Sequence, residues 1–187
     1  MNPRPDIYVV TERQRDLLSA CIESWRSTTF WVLMYMQSFL FRAENVDNIG
    51  RELDTQPARY ELIFAHYYGE AFSSVIRMNT QTEAGYFRPF LLALRAGRGT
   101  EASEIKRRWL EEIRYAAAKF GAMNPFWSTA VLETMLTHYI RLVCASAEDD
   151  MLGKYQEIGQ AYLVLDQLAK DLGEYFAVGI IRQFKID

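Results

Sequence analysis

The chain has 187 residues, of which 50% are hydrophobic and 14% aromatic, and a net charge of −3. This suits one globular domain with a sizeable core and excludes a strongly basic nucleic-acid footprint. Two cysteines and two histidines exclude a Cys-rich zinc module and a disulfide scaffold.

Helical spacing dominates, and no stretch alternates with a period of two. Residues Met1 to Asp6 lack the charged-then-apolar pattern of a secretory signal, so a cytoplasmic location is expected. Thr11-Glu12-Arg13-Gln14 reads as a capping box, and Leu17, Leu18, Cys21, Ile22 and Trp25 follow as one apolar stripe. Ser27-Thr28-Thr29 reads as the cap of a second helix carrying the Phe30 to Phe41 run. That run is too short for the roughly 20 residues of a membrane span. It predicts a buried central helix and no membrane partner.

Glu44 to Gln56 is polar and reads as a loop or short helix. Pro57 suits the first turn of a third helix, with Leu62, Ile63, Phe64, Phe72, Val75 and Ile76. Thr80-Gln81-Thr82-Glu83 offers a second capping box, before a short helix through Phe90, Leu91 and Leu94 that Gly97 would close. Arg98-Gly99 then reads as a turn. Glu101 to Phe120 is amphipathic and stops at Gly121, and Asn124-Pro125 predicts a sixth helix running to about Ala147. In the last helix Tyr155, Ile158, Tyr162, Leu165, Ala169, Leu172 and Phe176 follow heptad spacing. That seam serves either the chain's own bundle or a homodimer. The expectation is an all-α single domain, residues 1–187, of about seven helices.

Few residues are placed to carry chemistry. His66 and Glu70 are four apart, a spacing that lets imidazole and carboxylate share a metal or orient one another. His138 lies on a stripe with Val131, Met135 and Leu142 and reads as a core histidine or a ligand-binding group. Glu133 stands five residues before it, about 140° around a regular helix. Glu133 and Asp166 interrupt apolar segments, where an unpaired carboxylate would be costly; Lys170 is the plain partner for Asp166. Gln37, on the most apolar helix, is either a ligand contact or a satisfied core amide. Cys21 and Cys144 read as buried free thiols. Lys106-Arg107-Arg108, set among acids, reads as a solvated helix face, so no nucleic-acid partner is expected. A phosphate-binding glycine loop, a G-x-S-x-G elbow and a C-x-x-C pair are all missing from the sequence.

The order of these features resembles the heme-oxygenase-like helical superfamily, which includes thiaminase-II-like enzymes, a quinone-cofactor synthase and non-heme iron oxidases. The segment from Phe30 to Phe41, with Gln37 followed by an aromatic and a leucine, resembles that group's second helix. The stretch from His66 to Gly97, closing in Ala93-Leu94-Arg95-Ala96-Gly97, is similar to its next region. Glu133 matches the group's mid-chain Glu and Asp166 its late metal-binding Asp. The resemblance implies a metal set of His66, Glu70, Glu133 and Asp166, with non-heme iron as the cofactor. The chain departs from the iron oxidases in having no histidine in its last helix.

Three readings follow. The first is an oxidase- or oxygenase-type enzyme, with or without metal, whose aromatic-lined pocket holds a small organic molecule through Gln37, His66, Glu70 and His138. The second is a non-catalytic regulatory or protein-interaction module that dimerises through its last helix. The third is a structural bundle whose aromatics only fill the core. Small-molecule binding is common to the first two and is the central expectation; the sequence leaves catalysis open.

Overall fold

The computed structural model describes residues 10–187, without the side chains of Ala71, Phe72, Thr80, Tyr155, Glu157 and Ile158. The expectations resting on Met1 to Asp6 and on those side chains therefore lie outside the described residues. The chain is an all-α single domain. Its helices are α1 (Glu12–Leu40), α2 (Val46–Arg95), α3 (Gly99–Met123), α4 (Thr129–Met151) and α5 (Tyr155–Phe184). Among the described residues there are six helices, because α2 is two arms, 46–68 and 70–95, joined at Gly69.

The expected opening of α1 is present. Thr11 Oγ1 accepts from the Gln14 amide at 3.3 Å, and the Thr11 amide donates to Gln14 Oε1 at 3.1 Å. The break expected at Ser27-Thr28-Thr29 is absent, so two expected helices are one. The hydroxyls of Thr28 and Thr29 donate back to the carbonyls of Ser24 and Trp25, each at 2.9 Å. A threonine satisfied within its own helix has no reason to cap a new one.

The polar stretch before Pro57 is helical from Val46, and Pro57 lies inside the first arm of α2 rather than at its start. The Thr80 to Glu83 box is likewise interior to the second arm, where Thr82 Oγ1 donates to the Met78 carbonyl at 2.9 Å. The real break is Gly69, at φ 66° and ψ −161°, a conformation essentially restricted to glycine. Beyond it the chain folds back on itself. Arg77 meets Glu61 at 3.6 Å and Arg88 meets Asp54 at 2.6 Å, so the arms run antiparallel. A Cβ at Gly69 would meet no atom within 4 Å, so Gly69→Ala tests the backbone alone. We expect a loss of about 1–3 kcal/mol, read as a lower urea midpoint at unchanged slope.

Gly97, at φ 69°, closes α2 as expected, with the Arg98 amide donating to the Ala93 carbonyl at 2.9 Å. The start expected at Asn124-Pro125 is displaced to Ser128, which caps α4. Asn124 instead builds a turn, its Oδ1 accepting from the Phe126 amide at 2.8 Å and its carbonyl from the Trp127 amide at 3.0 Å.

Each helix packs on the next, and α5 returns to α1, closing the bundle. Leu165, Ala169, Leu172 and Phe176 of the heptad seam are buried within the chain, so among the described residues that seam is intramolecular. At one end Trp127, Phe120, Phe64 and Phe176 pack ring against ring, with centroids 5.0 Å apart for Trp127 and Phe176. Four of the chain's aromatic residues go into this cluster. Among the described residues, no helix is long and apolar enough to cross a membrane.

Candidate functional site

The residues singled out from sequence do not converge. His66 and Glu70 are exposed, and the non-helical Gly69 lies between them, so the i,i+4 relation that suggested a shared metal does not hold. His138 is exposed rather than a core residue. Glu133 accepts from Arg114 at 3.0 Å on the surface. Asp166 takes both arms of a fork from Arg26, at 2.6 and 2.9 Å, not from Lys170, which lies 3.5 Å from Glu174 instead. No three His, Cys, Asp or Glu side chains among the described residues are grouped so as to hold a metal ion.

Gln37 is a half-buried amide satisfied within the chain. Its Nε2 donates to Asp150 and, at 2.7 Å, to the Tyr162 hydroxyl. Asp150 itself is 2% exposed, and its Oδ1 has no partner. Burial pushes its pKa upward, partly offset by the Gln37 amide. Cys21 and Cys144 are free and buried as expected, and desolvation pushes both thiols up to about 12. Neither forms a thiolate near neutral pH. The basic cluster is neutralised: Lys106 pairs with Glu148, Arg107 with Glu104 and Glu111, and Arg108 with Glu104.

What the structure holds instead is a cavity of about 400 Å³ between α1, both arms of α2, α3 and α4. Interiors are close-packed, with few voids larger than a water molecule, and a space of this size lies in the range of small-molecule sites. Trp25 of α1, Tyr60 and Phe87 of α2, Trp109 of α3 and Tyr139 of α4 form much of its wall. Exposed Asp54, Arg77 and Gln81 mark its rim.

Most polar groups in this wall are already satisfied. The Tyr60 hydroxyl donates to Thr28 Oγ1 at 3.1 Å, and the Tyr139 hydroxyl is 2.9 Å from Thr29 Oγ1. Burial drives both phenol pKa values upward, so they stay neutral. Gln56 accepts from Ser27 at 2.9 Å and donates to the Glu52 carbonyl at 3.0 Å. Arg77 and Arg88 are held by Glu61 and Asp54.

Four groups are left over. The indole N–H groups of Trp25 and Trp109 and the Asn79 amide nitrogen are buried without a partner. Each unmet buried donor costs about 1–3 kcal/mol. The fourth is Glu83, which has no hydrogen bond or ion pair among the described residues. It is partly exposed where it faces the cavity and a small cleft shared with Glu112 and Lys119, and the protein around it otherwise desolvates it. That desolvation raises its pKa from 4.5 to about 7.

Sequence reasoning placed Glu83 in a capping box and passed over Asn79. A signal was available. Ile76, Asn79, Glu83, Phe87 and Phe90 are spaced three and four apart, so an amide and a carboxylate stand on the buried stripe of one helix. Perturbed carboxyls in apolar concavities are candidates for function. No protein-family model matches this chain, nor does any curated protein or solved structure.

Proposed function

We propose that this chain is a small-molecule-binding helical protein whose ligand occupies the cavity between α1, α2, α3 and α4. The observation that carries the reading is the accounting of the cavity wall. Apart from Gln81, which is exposed at the rim, the polar groups there are satisfied by the chain except Glu83, Trp25, Trp109 and Asn79. A fold that leaves about 400 Å³ unfilled beside four unmet polar groups gives up both packing and hydrogen bonding. A bound molecule with an apolar body and a few polar atoms supplies both.

The binding-module reading is the better supported of the two that involve a ligand. The cavity wall holds no thiol, histidine or lysine, its hydroxyls at Thr28, Tyr60 and Tyr139 are engaged within the chain, and its one titratable group without a partner among the described residues is Glu83. A single carboxyl orients a ligand without further catalytic groups.

The test uses the neutral fluorescent probe N-phenyl-1-naphthylamine and the variant Ala84→Phe, which places a ring in the space that Ala84 lines. The wild-type protein should bind the probe with a blue-shifted, enhanced emission. Ala84→Phe should stay folded, with equal or higher thermal stability because the void is filled, and bind at least about tenfold more weakly, as a steric block requires. Equal binding by both proteins would place the probe elsewhere and remove the basis for this reading.

A further inference from the structure

We propose that the cavity selects organic amines, binding the protonated nitrogen at the Glu83 carboxylate and the apolar remainder against the aromatic wall. This rests on the cavity being a ligand site and goes further by naming the ligand's charge.

Charge complementarity in the cavity points to the ligand group. Four charged side chains line the cavity, and three of them are accounted for. Arg88 is bound to Asp54 at 2.6 Å, and Arg77 lies 3.6 Å from Glu61. The chain provides no cation for Glu83 among the residues that line the cavity. The complementary ligand group is therefore a positive one, held by a charge-assisted hydrogen bond.

The wall suits the same ligand. Trp25, Tyr60 and Tyr139 pack edge to face, with centroids 5.7 Å apart for Trp25 and Tyr60 and 6.0 Å for Trp25 and Tyr139. Tyr60 and Tyr139 also lie within electrostatic range of Glu83. Aromatic faces beside a carboxylate favour ammonium groups twice over, by the ring quadrupole and by the opposite charge. An anionic ligand would meet the reverse, a lone carboxylate with both arginines already engaged.

The experiment compares ω-phenylalkylamines with the ω-phenylalkanols of matching chain length at pH 8, by isothermal titration calorimetry on the full chain. The pairs share shape and apolar area and differ in charge. Wild-type protein should bind each amine at least about tenfold more tightly than its alcohol, the scale of one charge-assisted hydrogen bond. Glu83→Gln should lose that preference, with each amine falling to the affinity of its matching alcohol. Ala84→Phe should weaken both. If amine and alcohol bind alike, or if the preference persists in Glu83→Gln, amine selection at Glu83 is overturned while the cavity remains a ligand site. If these molecules fail to bind while N-phenyl-1-naphthylamine does bind, the same conclusion holds. If no probe binds, the cavity reading falls as well.

Discussion

Gly173→Ala should destabilise the protein by at least about 3 kcal/mol, while Gly159→Ala on the same helix should stabilise it by about 0.5–1 kcal/mol. Alanine is the better helix former at both positions, by up to about 1 kcal/mol. The difference lies in the neighbours. At Gly159 an added Cβ meets nothing within 4 Å. At Gly173 it would sit 2.5 Å from Ile22 Cα and 2.8 Å from the Ile22 amide nitrogen. Those are backbone atoms in the middle of α1, and no rotamer change relieves them. The two helices would have to separate along a contact that buries Cys21, Leu172 and Phe176. The overpacking cost therefore exceeds the propensity gain. Gly179 gives a related but softer case, since its Cβ would meet the Trp127 indole nitrogen at 2.0 Å, a side chain rather than backbone. Urea denaturation of the three variants decides the order. A Gly173→Ala protein as stable as the parent would mean that α1 and α5 do not approach so closely.

These contacts mark how far the sequence alone could be read. Helix type was legible because apolar residues recur at three and four throughout, and that pattern needs no tertiary information. Ends set by local chemistry were legible too: the Thr11–Gln14 box and the Gly97 cap involve only residues a few positions apart. Breaks were harder. Ser27-Thr28-Thr29 has the composition of a cap, but its neighbours on both sides pack on the same core, and i−4 hydrogen bonds keep the helix going. Gly69, in contrast, has no flanking proline or polar cluster to announce a hairpin. Its unusual conformation is held by contacts between arms that are distant in sequence.

The candidate site was the least legible part, for a related reason. Asp166 and Glu133 drew attention as acids in apolar segments, but their partners are Arg26 and Arg114, on other helices. Gln37 drew attention on the right helix, yet its partners Asp150 and Tyr162 lie far along the chain. Whether a polar group is satisfied depends on long-range pairing that spacing does not encode. Glu83 is defined by the opposite condition, that no partner arrives. Only the three-dimensional wall of the cavity shows that.

That isolation has a consequence in the ligand-free protein. Its stability should fall as pH rises from about 4.5 to about 7, the interval between the ordinary and the raised pKa of Glu83. Across this interval the unfolded chain has released the Glu83 proton and the folded chain still holds it, so the native state binds more protons and loses ground with each unit of pH. The other groups near the site do not cancel this. Tyr60 and Tyr139 are neutral throughout, and Arg88–Asp54 and Arg77–Glu61 are paired. Glu112 and Lys119, which share a small neighbouring cleft with Glu83, carry opposite charges. Glu83→Gln removes the titration while keeping the shape. It should match the parent near pH 4.5 and exceed it at pH 8 by about 2 kcal/mol, once screening by water in the cavity is allowed for. Asp150, whose raised pKa acts in the same direction, leaves a residual slope in both proteins. Urea denaturation at the two pH values measures the difference, and a Glu83→Gln advantage that is the same at both would mean that Glu83 is not desolvated. On the amine reading, an ionised Glu83 without a counter-charge is also the state that a protonated ligand relieves. The alkaline side, where the bare fold is weakest, is therefore where an ω-phenylalkylamine should raise the melting temperature most.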